Sequence, residues 1–226
     1  MNRKLVNKLV RKFLKKLSDT HGFSLYKSTI LMRASNGILQ VISFDKPPSG
    51  LRCHIVLIPT YVPTNVIHYS IGNRLNYLNT NLSGIWCTGD SEDEIMHDLG
   101  IINELIEKNA LPWLRENSTP ISLIKILEED LRNESKCSAI CPRHLIYLYI
   151  GFSYLFIKEY KNAKIALEEA LKRTGAVEME PWSLIQPLLE LLRMGRFDLI
   201  DKNMESYCQY TYENLKLEKL SNRDSG

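Results

Sequence analysis

Apolar residues recur along this chain first with a helical period, then with a strand-like one, then with a helical one again. In 5–17, Leu5, Leu9, Phe13 and Leu17 stand four apart, with Val6, Val10 and Leu14 beside them. That stripe predicts a helix with a broad apolar face. Ser18-Asp19 and His21-Gly22 end it, the glycine suiting a left-handed stop. The next apolar runs, 23–34, 37–44 and 51–61, are rich in Ile, Val, Leu, Phe and Tyr, and are separated by Asn36-Gly37 and by 45–50. Asn-Gly between such runs signals a hairpin. Three antiparallel strands in a meander are therefore expected, with a fourth at 83–88 around Trp86. The Asn-rich stretch 63–81 shows no clear period.

Beyond it the period returns to 3.6. Ser91 and Glu94 form a capping box, opening a helix through Ile95, Leu99, Ile102 and Leu105 to about Lys108. Thr119-Pro120 starts another, with Leu123, Ile126, Leu127 and Leu131 inward and proline tolerated in the first turn. Residues 133–142 are polar and mark a boundary between a domain at 1–135 and a helical module at 142–220. Four helices are expected in that module, near 142–157, 160–174, 181–194 and 197–215, with a disordered tail after about Leu220.

The module's first two helices carry the most specific spacing in the chain. Tyr147, Ile150, Gly151, Tyr154, Tyr160, Ala163, Leu167 and Ala170 are placed for a helix–turn–helix in which small residues allow close approach. This stretch resembles one tetratricopeptide repeat, departing from it at Lys158, where a small residue is usual, and at Gly175, where proline often closes the repeat. A degraded second copy runs from Trp182 through Leu188, Leu191, Gly195-Arg196-Phe197 and Ile200. The resemblance implies binding of other proteins. Two repeats alone leave an apolar face uncovered, so the helix at 120–133, the sheet domain or a second chain in a homodimer must cover it.

The first half has its own resemblance, carried by pattern. The opening basic helix followed by Gly22-Phe23, the strand Ile38-Leu39-Gln40-Val41-Ile42-Ser43-Phe44, Arg74-Leu75, Trp86 and a closing helix around 101–114 are similar to a bacterial domain-of-unknown-function family, number 4304 in that series. It implies a fold and no biochemical activity. Together the readings give an α+β protein: an antiparallel meander with packed helices, then an all-α, tetratricopeptide-like helical-hairpin module.

Charge changes the picture only locally. The whole chain carries +3, too little to draw it to nucleic acid as a body. Yet 1–17 hold seven Lys/Arg and no acid, so the rest sums to −4. That basic face reads as solvated surface, with an anionic membrane or a phosphate backbone as alternatives. Five cysteines, an odd and scattered set, fit reduced thiols in a cytoplasm. Lysines and arginines interrupt the early apolar run, so no secretory segment is expected, and no apolar run is long enough to span a membrane.

Candidate chemistry is sparse. Cys137, Cys141 and His144 lack a fourth zinc ligand, which Cys208 or His97 would have to supply. No metal and no cofactor are expected. The acids beside His97 are explained by the helix macrodipole. No phosphate loop, nucleophile elbow or zinc-protease motif is present. The expected function is therefore that of a non-catalytic cytoplasmic protein-binding protein, an adaptor or a neutralising, immunity-type binder. Arg74 and Tyr77 are its candidate contacts, with Tyr154 and Tyr160, which chiefly build the repeat. The alternative is an enzyme with a site over the sheet face near His54, His68 and His97.

Overall fold

The structure, a computed structural model, describes residues 3–48, 50–78, 86–87, 89–133, 141–174 and 182–217. It is an α+β fold. Among the described residues it forms helix α1 (Arg3–His21), strands β1 (Ser24–Lys27), β2 (Ile30–Ser35), β3 (Ile38–Asp45), β4 (Arg52–Pro59) and β5 (Gly72–Arg74), then helices. These are α2 (Glu92–Leu105), α3 (Leu111–Asn117), α4 (Pro120–Arg132), α5 (Arg143–Phe156), α6 (Tyr160–Thr174), α7 (Ile185–Arg193) and α8 (Phe197–Asn214). The antiparallel sheet follows chain order, β1-β2-β3-β4-β5.

The meander differs from expectation in two places. The run 23–34 is two strands, because Ser28-Thr29 turn the chain and pair Leu25 with Leu31. The fifth strand comes from the Asn-rich stretch, where Asn73 pairs with Ile55 and Arg74 with His54. Trp86 instead forms an isolated bridge: Leu51 N donates to Trp86 O at 2.7 Å and Trp86 N to Leu51 O at 2.9 Å. Most of the expected fourth strand, like the tail after Leu220, lies outside the described residues.

The chain condenses into two compact units that do not follow a cut at 135. The first is Met1–Ala34, Gln40–Leu57 and Gly72–Glu116; the second is Ser35–Leu39, Ile58–Ile71 and Asn117–Gly226.

In the first unit, Val6, Leu9, Val10, Leu14 and Leu17 of α1 are buried, as are Val41, Ile42 and Phe44 of β3 and Cys53, Ile55 and Leu57 of β4. Burial of consecutive β3 residues means both faces of that strand are covered. Arg33 closes the end of α1: its Nη1 donates to His21 O at 2.7 Å and its Nε to Gln40 Oε1 at 3.0 Å, over the ring of Phe23. α2 begins at the capping box on Ser91 and passes into a π-helical stretch, Ile106–Ala110. Pro112 accounts for the wider turn. It has no N–H to give and its ring crowds the carbonyl four residues back, so Leu111 N bonds Ile106 O instead.

In the second unit the hairpin tip at Asn36-Gly37, with φ of 49° and 78°, lies against Phe156 and Tyr61. Thr60 N and Oγ1 both donate to Gly37 O, Tyr61 stacks on Phe156 at 4.4 Å, and its hydroxyl bonds Ser153 Oγ at 2.8 Å. α5 packs against α4, α6 and α8, and α7 against α6 and α8.

The two hairpins, α5–α6 and α7–α8, repeat at an offset of 37 residues. Lys158 N donates to Leu155 O and Glu159 N to Tyr154 O; Gly195 N donates to Leu192 O and Arg196 N to Leu191 O. Lys158 and Gly195 share the left-handed conformation, φ 65° and 66°. Leu148, Gly151, Phe152 and Leu155 are buried, and so are their counterparts Ile185, Leu188, Leu189 and Leu192.

Candidate functional site

An apolar surface lies on α4, α5 and α6. Gly151 makes it by letting α6 approach: a Cβ there would meet Leu167 Cδ2 at 2.6 Å and Leu167 N at 3.3 Å. Ala163, Ala166 and Ala170 continue the small surface on α6. Beside this seam is a hollow of about 410 Å³ with Ile150 and Ala166 in its floor and Leu131, Tyr147, Tyr154 and Ile165 in its walls. Ile165 is 56% exposed. It sits on α6 away from the Ala163–Leu167–Ala170 stripe that faces α5, so intramolecular packing does not account for its being aliphatic.

The hollow's polar rim is already ordered by its own contacts. Tyr154 Oη donates to Glu128 Oε1 at 3.0 Å, and Arg132 Nη2 donates to Glu128 Oε2 at 3.1 Å. Burial, and then the neighbouring Glu128 carboxylate, push the Tyr154 phenol up. Glu169 receives Lys172 at 2.7 Å and Arg173 at 3.2 Å, and the Arg173 guanidinium lies 5.0 Å from the centre of the Tyr147 ring. Tyrosines and an aliphatic residue fixed in place between paired charges suit an apolar side chain of a partner.

A second groove, about 510 Å³, runs between α5 and α8 over Leu155, Phe156, Met204, Cys208 and Tyr212. Its edge is tied by Asp201, which accepts from Lys158 Nζ at 2.6 Å and from Tyr160 Oη at 2.8 Å. Tyr160 stacks on Phe197 at 4.2 Å, nearly parallel. These are equivalent positions of the two hairpins, so Tyr160 joins the repeats. Burial and Asp201 push its phenol up to about 12.

Arg74 and Tyr77 belong to the first unit. Arg74 is half-buried in β5, opposite His54; Tyr77 is 56% exposed in a 3-10 turn, Leu75–Leu78, held where Asn109 Nδ2 donates to Leu78 O at 3.2 Å. The end of the Asn-rich stretch, 79–81, lies outside the described residues.

The three histidines of the enzyme reading stand in separate surroundings. His54 Nε2 is 3.2 Å from Asp45 Oδ1, and burial lowers its pKa against the pull of that carboxylate. His68 belongs to the second unit, stacked 6.0 Å from Tyr149 with Nδ1 buried and unbonded, and burial pushes it down to about 4. His97 is exposed on α2, and Asp98 beside it accepts from Cys87 N at 2.6 Å. Burial raises the thiols of Cys53, Cys87 and Cys208, the opposite of what a nucleophile needs. Cys137 lies outside the described residues. Among those described, no three His, Cys, Asp or Glu side chains are grouped to hold a metal ion.

Sequence reasoning named Tyr154 but missed Ile165 and Asp201. Ile165 was detectable as an aliphatic residue off the small-residue stripe. Asp201 gave no signal, because its two partners are more than forty residues away in the chain. Compared with known proteins, the chain matches no family model, no curated protein and no solved structure. No helix among the described residues is long and apolar enough to cross a membrane.

Proposed function

We propose that this is a non-catalytic protein-binding protein of the cytoplasm, an adaptor or a neutraliser, whose helical hairpins act as a tetratricopeptide-like module. The observation that carries the reading is the hollow on α4–α6, where Ile165 stays 56% exposed between Tyr147 and Tyr154. The duplicated hairpin geometry supports it, since stacked hairpins present continuous side surfaces to extended or helical segments. The partner segment brings one or two apolar side chains. The internally paired rim selects little by charge, so affinity depends on apolar fit.

Capture from native lysate with the full chain tests this, run beside Ile165→Glu and read by mass spectrometry. Ile165 is exposed, so the variant keeps its thermal melt. The expected result is one protein held by the wild type at moderate salt and lost with Ile165→Glu. Equal capture by both chains would overturn the role of the hollow.

A further inference from the structure

The opening helix breaks the local rules that stabilise helices. Arg3, Lys4, Lys8, Arg11, Lys12, Lys15 and Lys16 are all exposed, and there is no acid in the first turn of α1. Cations at that end oppose the macrodipole. Lys4–Lys8, Lys8–Lys12, Arg11–Lys15 and Lys12–Lys16 are like-charged pairs one turn apart, which repel. None of the seven has an ion-pair partner among the described residues. A helix with this much uncompensated repulsion, held by its buried apolar face, is what a functional surface looks like.

We propose that the exposed face of α1 docks on the sugar–phosphate backbone of a double-stranded nucleic acid without reading its bases. Two observations select this occupant over other anionic ones. The apolar face of α1, Val6 to Leu17, is buried in its own unit, so it is not free to insert among lipid chains as an interfacial helix does. The exposed face has no aromatic or methionine anchor, since the one aromatic of α1, Phe13, is half-buried and meets Phe44 edge-on at 6.1 Å; a protein interface depends on such anchors. The same lack removes the stacking platform that single strands require. Phosphate contacts need only closely spaced Lys and Arg.

The dimensions agree. Lys4 to Lys16 covers about 18 Å of helix, along which a duplex presents about ten phosphates. A ridge on one side reaches about half of them. Lys46, from the β3–β4 turn, extends the surface where its Nζ donates to Asn7 Oδ1 at 2.5 Å. The chain's modest total charge conceals this ridge because α1 carries one acid, Asp19 near its end, while the others lie elsewhere, Glu92, Asp93 and Glu94 in the first turn of α2 among them.

This inference is independent of the hollow on α4–α6. The test is fluorescence anisotropy of the full chain with a labelled random-sequence DNA duplex of two helical turns. With about five contacts, binding weakens about 500-fold between about 50 and 200 mM salt. Lys8→Glu/Lys12→Glu/Lys15→Glu abolishes it while the thermal melt is kept or raised. Lys125→Glu/Lys161→Glu/Lys202→Glu, exposed lysines of the second unit, binds as the wild type does. No binding at low salt, undiminished binding by the α1 variant, tighter binding of the separated single strand, or uptake by phosphatidylserine vesicles without duplex binding would each overturn the proposal.

Discussion

His68 shows how one side chain sets a property of the second unit. Its imidazole is half-buried against Tyr149 with Nδ1 buried and unbonded, and its pKa falls to about 4. In the unfolded chain the same ring titrates near 6.5. Between those values the unfolded state binds a proton that the native state refuses, so stability is complete above pH 6.5 and declines as pH falls toward 4. The loss is about 3 kcal/mol at most. His54, lowered in the same direction, adds to the slope. Urea unfolding at near-neutral pH and at roughly pH 4.5 should show His68→Phe, which keeps the stacking, losing distinctly less stability than the wild type. Equal losses would mean the ring is solvated. Nothing in the sequence around His68 announces this, because its burial comes from Tyr149, far along the chain.

At the scale of elements, sequence was most informative where a local rule had a local cause. The capping box at Ser91, the Asn36-Gly37 hairpin and the stripe of α1 all formed as their residues dictate. The small residues of α5 and α6 stand at the seam their spacing indicated. Gly151→Ala tests the tightness of that seam. Alanine improves helix propensity by up to about 1 kcal/mol, but its Cβ would come 2.6 Å from Leu167 Cδ2. Overpacking of this kind costs about 1–3 kcal/mol, so a net loss of up to about 2 kcal/mol is expected in denaturant unfolding, and a gain would show that α6 can withdraw. By contrast, β5 was not legible: three residues without alternation become a strand because β4 offers them an edge.

Across the whole molecule, chain order and compactness part company. Ser35–Leu39 and Ile58–Ile71 precede most of the first unit's helices, yet they belong to the second. Tyr61 is fully buried there, against Phe156 and Ser153. A fragment ending at 135 removes that cover. It should bind a hydrophobic dye and lose the sharp melt of the full chain; a cooperative, dye-silent 1–135 fragment would show that the two stretches find other cover. The amino-acid sequence by itself determined the helical and strand periods, the caps, the turn at Asn36-Gly37 and the concentration of charge on α1, because each arises from residues within one or two turns of one another. Only the tertiary structure decided which stretches share a core, that Tyr160 joins two repeats through Phe197 and Asp201, and that Ile165 remains exposed. Those outcomes depend on contacts between residues far apart in the chain, where no periodicity records the partner.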